Sequence, residues 1–224
     1  MNGRGVDRRV WLAGTAGALA LASGARAAAA PKQEQKEADI PPTEDLMREH
    51  GVLRRILIVY DEASRRLAAD DAVALGVVAG AAGIVRRFVE GYHEKLEEQF
   101  LLPTLEKAGK LVDLTKTIRT QHAAGRRLTD TILAAARSKD RPGAVGAMRS
   151  FSRMYGAHAA WEDTEVFPVY RAMFSESELD KLGDKFEEQE KKLLGAGGFE
   201  GSLREVGDLE KTLGIHDLAR FTPA

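Results

Sequence analysis

A chain of 224 residues accommodates one full domain with extensions, or two small domains. Its 44% hydrophobic and 30% charged residues are those of an ordinary globular protein, and a net charge of −1 excludes nucleic-acid binding driven by bulk positive charge. The absence of cysteine excludes a disulfide framework, a thiolate zinc site, an iron–sulfur cluster and a cysteine nucleophile, so any metal must be held by nitrogen and oxygen from among five histidines and the carboxylates.

Residues 1–30 read as an export signal: a charged start, Arg8-Arg9-Val10-Trp11-Leu12, a run of Ala, Gly and Leu from Ala13 to Ala22, and small residues ahead of Pro31. The apolar stretch is shorter than the ~20 residues of a spanning helix, so no membrane span remains after cleavage. Paired arginines before a bulky apolar residue resemble a twin-arginine signal, with Asp7 where Ser or Thr is usual. Cleavage after Ala27 or Ala29 is expected, and export by the twin-arginine machinery would place the protein in the periplasm or outside the cell. An uncleaved, membrane-tethering N-terminus is the alternative. Loss of residues 1–27 removes Arg4, Arg8, Arg9, Arg26 and Asp7 and leaves a net charge of −4.

Residues 31–42 are polar, proline-flanked and aperiodic, which marks a linker. From Thr43 onward the apolar spacing is helical. Thr43 is expected to cap a first helix with Leu46, His50, Leu53, Leu57 and Tyr60 inward. Asp70 and Asp71 are expected to cap a second, carrying Val85, Val89, Leu96 and Phe100. A third starts near Asp113 with Leu114, Ile118, Leu128 and Ile132. Pro142 opens a fourth, with Met148, Phe151, Tyr155, Val166 and Val169 inward. No alternating segment suggests a strand. The predicted fold is all-α: an up-down-up-down four-helix bundle over residues 43–195, including a C-terminal helix. That C-terminal helix starts at Ser175, where Ser175 and Glu178 form a capping box behind Phe174. Residues 196–224 form a short helix and tail, expected to contribute no chemistry.

The sequence contains an internal repeat. His93-Glu94-Lys95-Leu96-Glu97-Glu98-Gln99-Phe100-Leu101-Leu102-Pro103 aligns without gaps on His158-Ala159-Ala160-Trp161-Glu162-Asp163-Thr164-Glu165-Val166-Phe167-Pro168. His50-x3-Arg54-Arg55-Ile56 likewise aligns on His122-x3-Arg126-Arg127-Leu128. The chain is thus two copies of a helix pair, with a lone His on the first helix and His-x3-Glu on the second. Residues four apart share a helix face. His93 with Glu97, and His158 with Glu162, each direct a nitrogen and a carboxylate the same way, along the apolar series and hence inward.

One inward histidine is usually a satisfied core residue. Four imidazoles and two carboxylates in one apolar bundle cost several kcal/mol each if left bare. Metal ions satisfy them together, and this donor set suits iron, zinc, manganese or copper. The simplest allotment gives each of two ions two histidines, with Glu97 and Glu162 bridging. An added oxo or hydroxo bridge leaves room for a small ligand. The candidate ligands are therefore His50, His93, Glu97, His122, His158 and Glu162, whereas His216 reads as a surface residue. Glu98 and Asp163 are candidates to accept ring N–H bonds from the ligand histidines, and Arg54 and Arg126 to pair with nearby carboxylates. Tyr155 is expected mainly to pack the core, with a hydroxyl near the open position as the alternative. Only Glu90–His93 matches the Glu-x-x-His motif that a ferritin-like oxidase carries twice.

On His50, His93–Glu97 with Glu98 and Pro103, His122, and His158–Glu162 with Phe167-Pro168, residues 43–195 resemble the hemerythrin-like, or HHE cation-binding, family. The resemblance implies a non-haem di-iron centre in a four-helix bundle, with zinc or manganese as alternative metals. Oxygen-carrying hemerythrins are similar but place a second histidine where this chain has Arg126, and their last carboxylate falls at the position of Asp163. The set of four His and two Glu resembles more closely the branch linked to repair of iron centres and nitrosative stress. The resemblance thus implies a protein that binds or reduces O2, peroxide or NO. A non-catalytic carrier or buffer of metal or gas is the alternative.

Overall fold

A computed structural model of the chain describes residues 40–70 and 75–223. Among these residues all regular structure is helical. The residues of the expected export signal, and most of the expected linker, lie outside the described residues.

Helix α1, Pro42–Ala68, starts one residue before Thr43. Pro42 takes the first turn, where its missing N–H is no loss and its φ is already helical; Thr43 bonds Glu44 rather than capping the helix. Leu46, Leu53, Leu57 and Tyr60 are buried as the periodicity predicts. Asp70 does not cap the following helix. It adopts φ 58° in the turn that ends α1 and pairs with Arg141 at 2.7 Å. Asp71 lies outside the described residues.

Helix α2 covers residues 75–107 as a composite: α-helical at Leu75–Ile84, Glu94–Leu96 and Leu102–Lys107, and π-helical at Val85–His93 and Glu97–Leu101. Helix α3 is Val112–Ser138. Helix α4, residues 141–171, is α-helical at Arg141–Trp161 and Phe167–Arg171 around a π turn at Glu162–Val166. Pro142 lies in its first turn, and Asp140 caps it by accepting the Gly143 N–H at 3.0 Å.

The two short π turns follow from the repeat. Each begins at a Glu of a His-x3-Glu pair, and each is followed by one residue and a proline. Leu102 N–H reaches back five residues to the Glu97 carbonyl, and Phe167 N–H does the same to Glu162. Pro103 and Pro168 cannot donate the next bond of an α-helical ladder, so a widened turn ahead of each lets the helix continue.

Helices α1 and α3 each pack against both α2 and α4, giving a four-sided bundle. The core between them holds Ile56, Tyr60, Phe88, Ile132, Met148 and Phe151. Helix α5, Glu176–Leu194, carries the Ser175–Glu178 capping box and packs on α1 and α2. Helix α6, Gly198–Leu213, lies on α1 and α2, tied there by Arg55, whose guanidinium engages both oxygens of the largely buried Glu210. No described helix is long and apolar enough to cross a membrane.

Candidate metal centre

The bundle interior brings together the six residues singled out by spacing. His50 comes from α1, His93 and Glu97 from α2, His122 from α3, and His158 and Glu162 from α4. All are at least 97% buried. His50 Nε2 lies 3.1 Å from His93 Nε2 and 3.3 Å from a Glu162 oxygen. His93 Nε2 is 3.6 Å from Glu97, His122 Nε2 is 3.3 Å from the other Glu97 oxygen, and His158 Nε2 is 3.0 Å from Glu162. His216, in contrast, is exposed in the tail.

Every imidazole is turned the same way by a partner on its outer nitrogen. His50 Nδ1 bonds Asp163 at 2.7 Å, His93 Nδ1 bonds Glu49 at 2.6 Å, His122 Nδ1 bonds Glu98 at 3.2 Å, and His158 Nδ1 bonds the Gln121 amide oxygen at 2.8 Å. All four partners are acceptors, so a neutral ring keeps its proton on Nδ1 and aims an Nε2 lone pair inward. Two of the acceptors, Glu98 and Asp163, are those the sequence suggested. Glu49 and Gln121 were missed, although each immediately precedes a repeat histidine.

What faces the centre is poorly satisfied by protein alone. Both oxygens of Glu97, both of Glu162, and His122 Nε2 are buried without a well-formed hydrogen bond. Leaving such atoms bare in a low-dielectric interior costs several kcal/mol, and a cation satisfies them at once. The ligand atoms fall into two groups, His50–His93–Glu97–Glu162 and Glu97–His122–His158–Glu162, each within 4.8 Å and both containing the two carboxylates. Nitrogen and oxygen donors in sets of four suit a borderline or hard divalent ion.

The electrostatics agree. Burial opposes the charged form of His50, yet the carboxylates of Asp163 and Glu162 outweigh it and raise its pKa to about 9. His122 is raised to about 10, against its burial, by Glu97 and Glu98. Glu162 is pushed up by its burial but pulled further down by His158 and His50. The site demands positive charge. Metal ions would supply that charge in place of protons.

Around the centre, Arg54 pairs with Asp163, and Arg126 bonds Glu98 at 2.6 Å and Glu94 at 2.7 Å. Glu94 is fully buried and also accepts the Tyr155 hydroxyl at 2.5 Å. Tyr155 stacks on Phe151 with ring centroids 4.2 Å apart, so it is a packed core residue whose polar end is committed to Glu94. Glu94 escaped the sequence reading because it is turned about 100° from His93 along the helix.

The profile of the Hemerythrin HHE cation binding domain family matches residues 42–170. The chain is also 46% identical over 196 residues to the uncharacterized protein Rv1995 of Mycobacterium tuberculosis (strain H37Rv) and, to the same degree, to the uncharacterized protein Mb2018 of Mycobacterium bovis. Each match covers 85% of this chain and 77% of the relative. No solved structure was found to match it. With a helical bundle, a buried His/Glu cluster suited to metal ions, and a family match over most of the bundle, the chain belongs to the hemerythrin HHE cation-binding family.

Proposed function

We propose that this protein is a non-haem di-iron protein that binds or reduces a small molecule such as O2, peroxide or NO, with His50, His93, Glu97, His122, His158 and Glu162 as ligands in an up-down-up-down bundle. The observation that carries the reading is the sharing of Glu97 and Glu162 between two overlapping donor groups. Two adjacent carboxylates that each approach two histidines suit a pair of cations better than one. A pair of iron ions would supply one-electron redox chemistry and an open coordination position for the small molecule.

The chain's own residues have definite tasks in this reading. Asp163, Glu49, Glu98 and Gln121 hold the ring tautomers and orientations. Phe167 stacks on His50 at 5.4 Å and puts an apolar ring against that side of the centre. Arg126 balances the carboxylates of Glu94 and Glu98. Residues 1–30 support export by a twin-arginine-like route and a periplasmic or secreted location, and a route that carries folded proteins suits one loaded with metal beforehand.

The test is peroxide turnover by the iron-loaded protein beside Glu97→Ala. Turnover that disappears in the variant supports the redox reading. Reversible O2 or NO binding without turnover would make the protein a carrier instead, and absence of any bound iron would refute the di-iron assignment.

A further inference from the structure

The two halves of the centre are related by the sequence repeat almost throughout. His50 and His122 occupy equivalent positions, and the acceptors on their Nδ1 atoms, Asp163 and Glu98, are equivalent to each other. Arg54 and Arg126, also equivalent, each bind the corresponding acceptor. Among the Nδ1 acceptors the correspondence fails at one place. His93 is backed by Glu49, whereas its counterpart His158 is backed by Gln121, the residue equivalent to Glu49. A full negative charge behind one ring is replaced by a neutral amide behind the other.

A second difference falls on the same spot. Before His93 stands Tyr92, buried, with Glu49 among the charges nearest its hydroxyl. Its counterpart before His158 is Ala157, exposed. The missing ring leaves a groove of about 260 Å³ lined by Leu114, Ile118, Gln121, Ala157, His158 and Trp161. The groove reaches the His158 side of the centre, although His93 and His158 are equally buried, 3% exposed each. Glu94 adds a carboxylate on the side of His122, but Arg126 and the Tyr155 hydroxyl already engage it.

From these paired differences, and resting on the metal-centre reading above, we infer that the two metal subsites are unequal: the His122–His158 half is the weaker, exchangeable one, and the groove beside Gln121 and Ala157 is its route to solvent. A carboxylate on Nδ1 makes an imidazole a better donor, and altering such a partner changes metal affinity by roughly 10–100-fold. An amide accepts the same N–H bond and orients the ring, but donates less electron density. The His50–His93 half has carboxylates behind both rings.

The test uses cobalt(II) added to the metal-free full-length chain, followed by its visible absorption and by calorimetry, with folding checked by circular dichroism. The wild type should bind two ions in a tighter and a weaker step, and His158→Ala should abolish the weaker one. Gln121→Glu should strengthen the weaker step about tenfold and leave the tighter unchanged. Glu49→Gln should weaken the tighter step by a similar factor. Ala157→Tyr, which restores the covering ring at an exposed position, should slow removal of the weakly held ion by EDTA. Two ions bound in indistinguishable steps, or a weaker step that Gln121→Glu does not move, would overturn the inference while leaving the metal centre standing. No cobalt bound by the wild type would overturn the metal-centre reading and the inference with it.

Discussion

Glu97 and Glu162 stand at equivalent points of the two repeats, each at the first position of a π turn, and their carboxylates lie within 4.8 Å of each other at the centre of the bundle. Each approaches two histidines from different helices: His93 and His122 for Glu97, His50 and His158 for Glu162. The site is thereby a cross-link of all four helices of the bundle. Its occupancy and the stability of the fold should be coupled, because energy gained by binding metal only in the folded state is folding energy.

His93→Ala and His158→Ala should each lower metal content and melting temperature together, and His216→Ala, in the exposed tail, should change neither. Elemental analysis and thermal unfolding of the three variants check this. Full metal content in both ligand variants would contradict the site assignment.

Gly125 makes room for Tyr155. A Cβ at position 125 would fall 2.1 Å from the Tyr155 hydroxyl and 2.8 Å from two ring carbons. Gly125→Ala should therefore destabilise the protein by about 1–3 kcal/mol in urea unfolding, despite the higher helix propensity of alanine. A neutral or stabilising result would mean that Tyr155 repacks freely and that its bond to Glu94 is dispensable.

Asp45 is the clearest pH-sensitive group away from the centre. Burial, with Glu49 nearby, raises its pKa from 3.8 to about 6, against the pull of Arg48. A raised folded-state value means stability that is present below about pH 4 and lost as pH rises through about 6. Asp45→Asn should thus raise the melting temperature at pH 7 and give little gain at pH 4. Equal gains at the two pH values would contradict the burial argument.

Arg55 links α1 to α6 through both oxygens of Glu210. Arg55→Ala should cost about 1 kcal/mol, the strength of a charged hydrogen-bonded pair reduced by the partial exposure of the guanidinium. Hydrogen exchange should show the loss concentrated in residues 198–213. Uniform loss over the bundle would mean that α6 is integral to it.

The sequence exposed the bundle and the convergence of six side chains because both obey helical spacing: His50, Leu53, Leu57 and Tyr60 share one stripe, and the two His-x3-Glu pairs continue others. What it concealed breaks that spacing. The π turns add a residue that no 3.6-residue period registers, although Pro103 and Pro168, six residues after each Glu, mark them in retrospect. Glu49, Gln121 and Glu94 adjoin ligand residues in sequence and point elsewhere on the helix, so reading one face hides them. The first helix begins at Pro42 because a proline pair fixes its entry before any side-chain cap is needed.

The proposed di-iron reading is tested most directly by metal analysis with a visible spectrum on protein purified without chelators. About two irons per chain and a near-ultraviolet ligand-to-metal charge-transfer band are expected, both lost in Glu97→Ala. Zinc alone, or no metal, would contradict it.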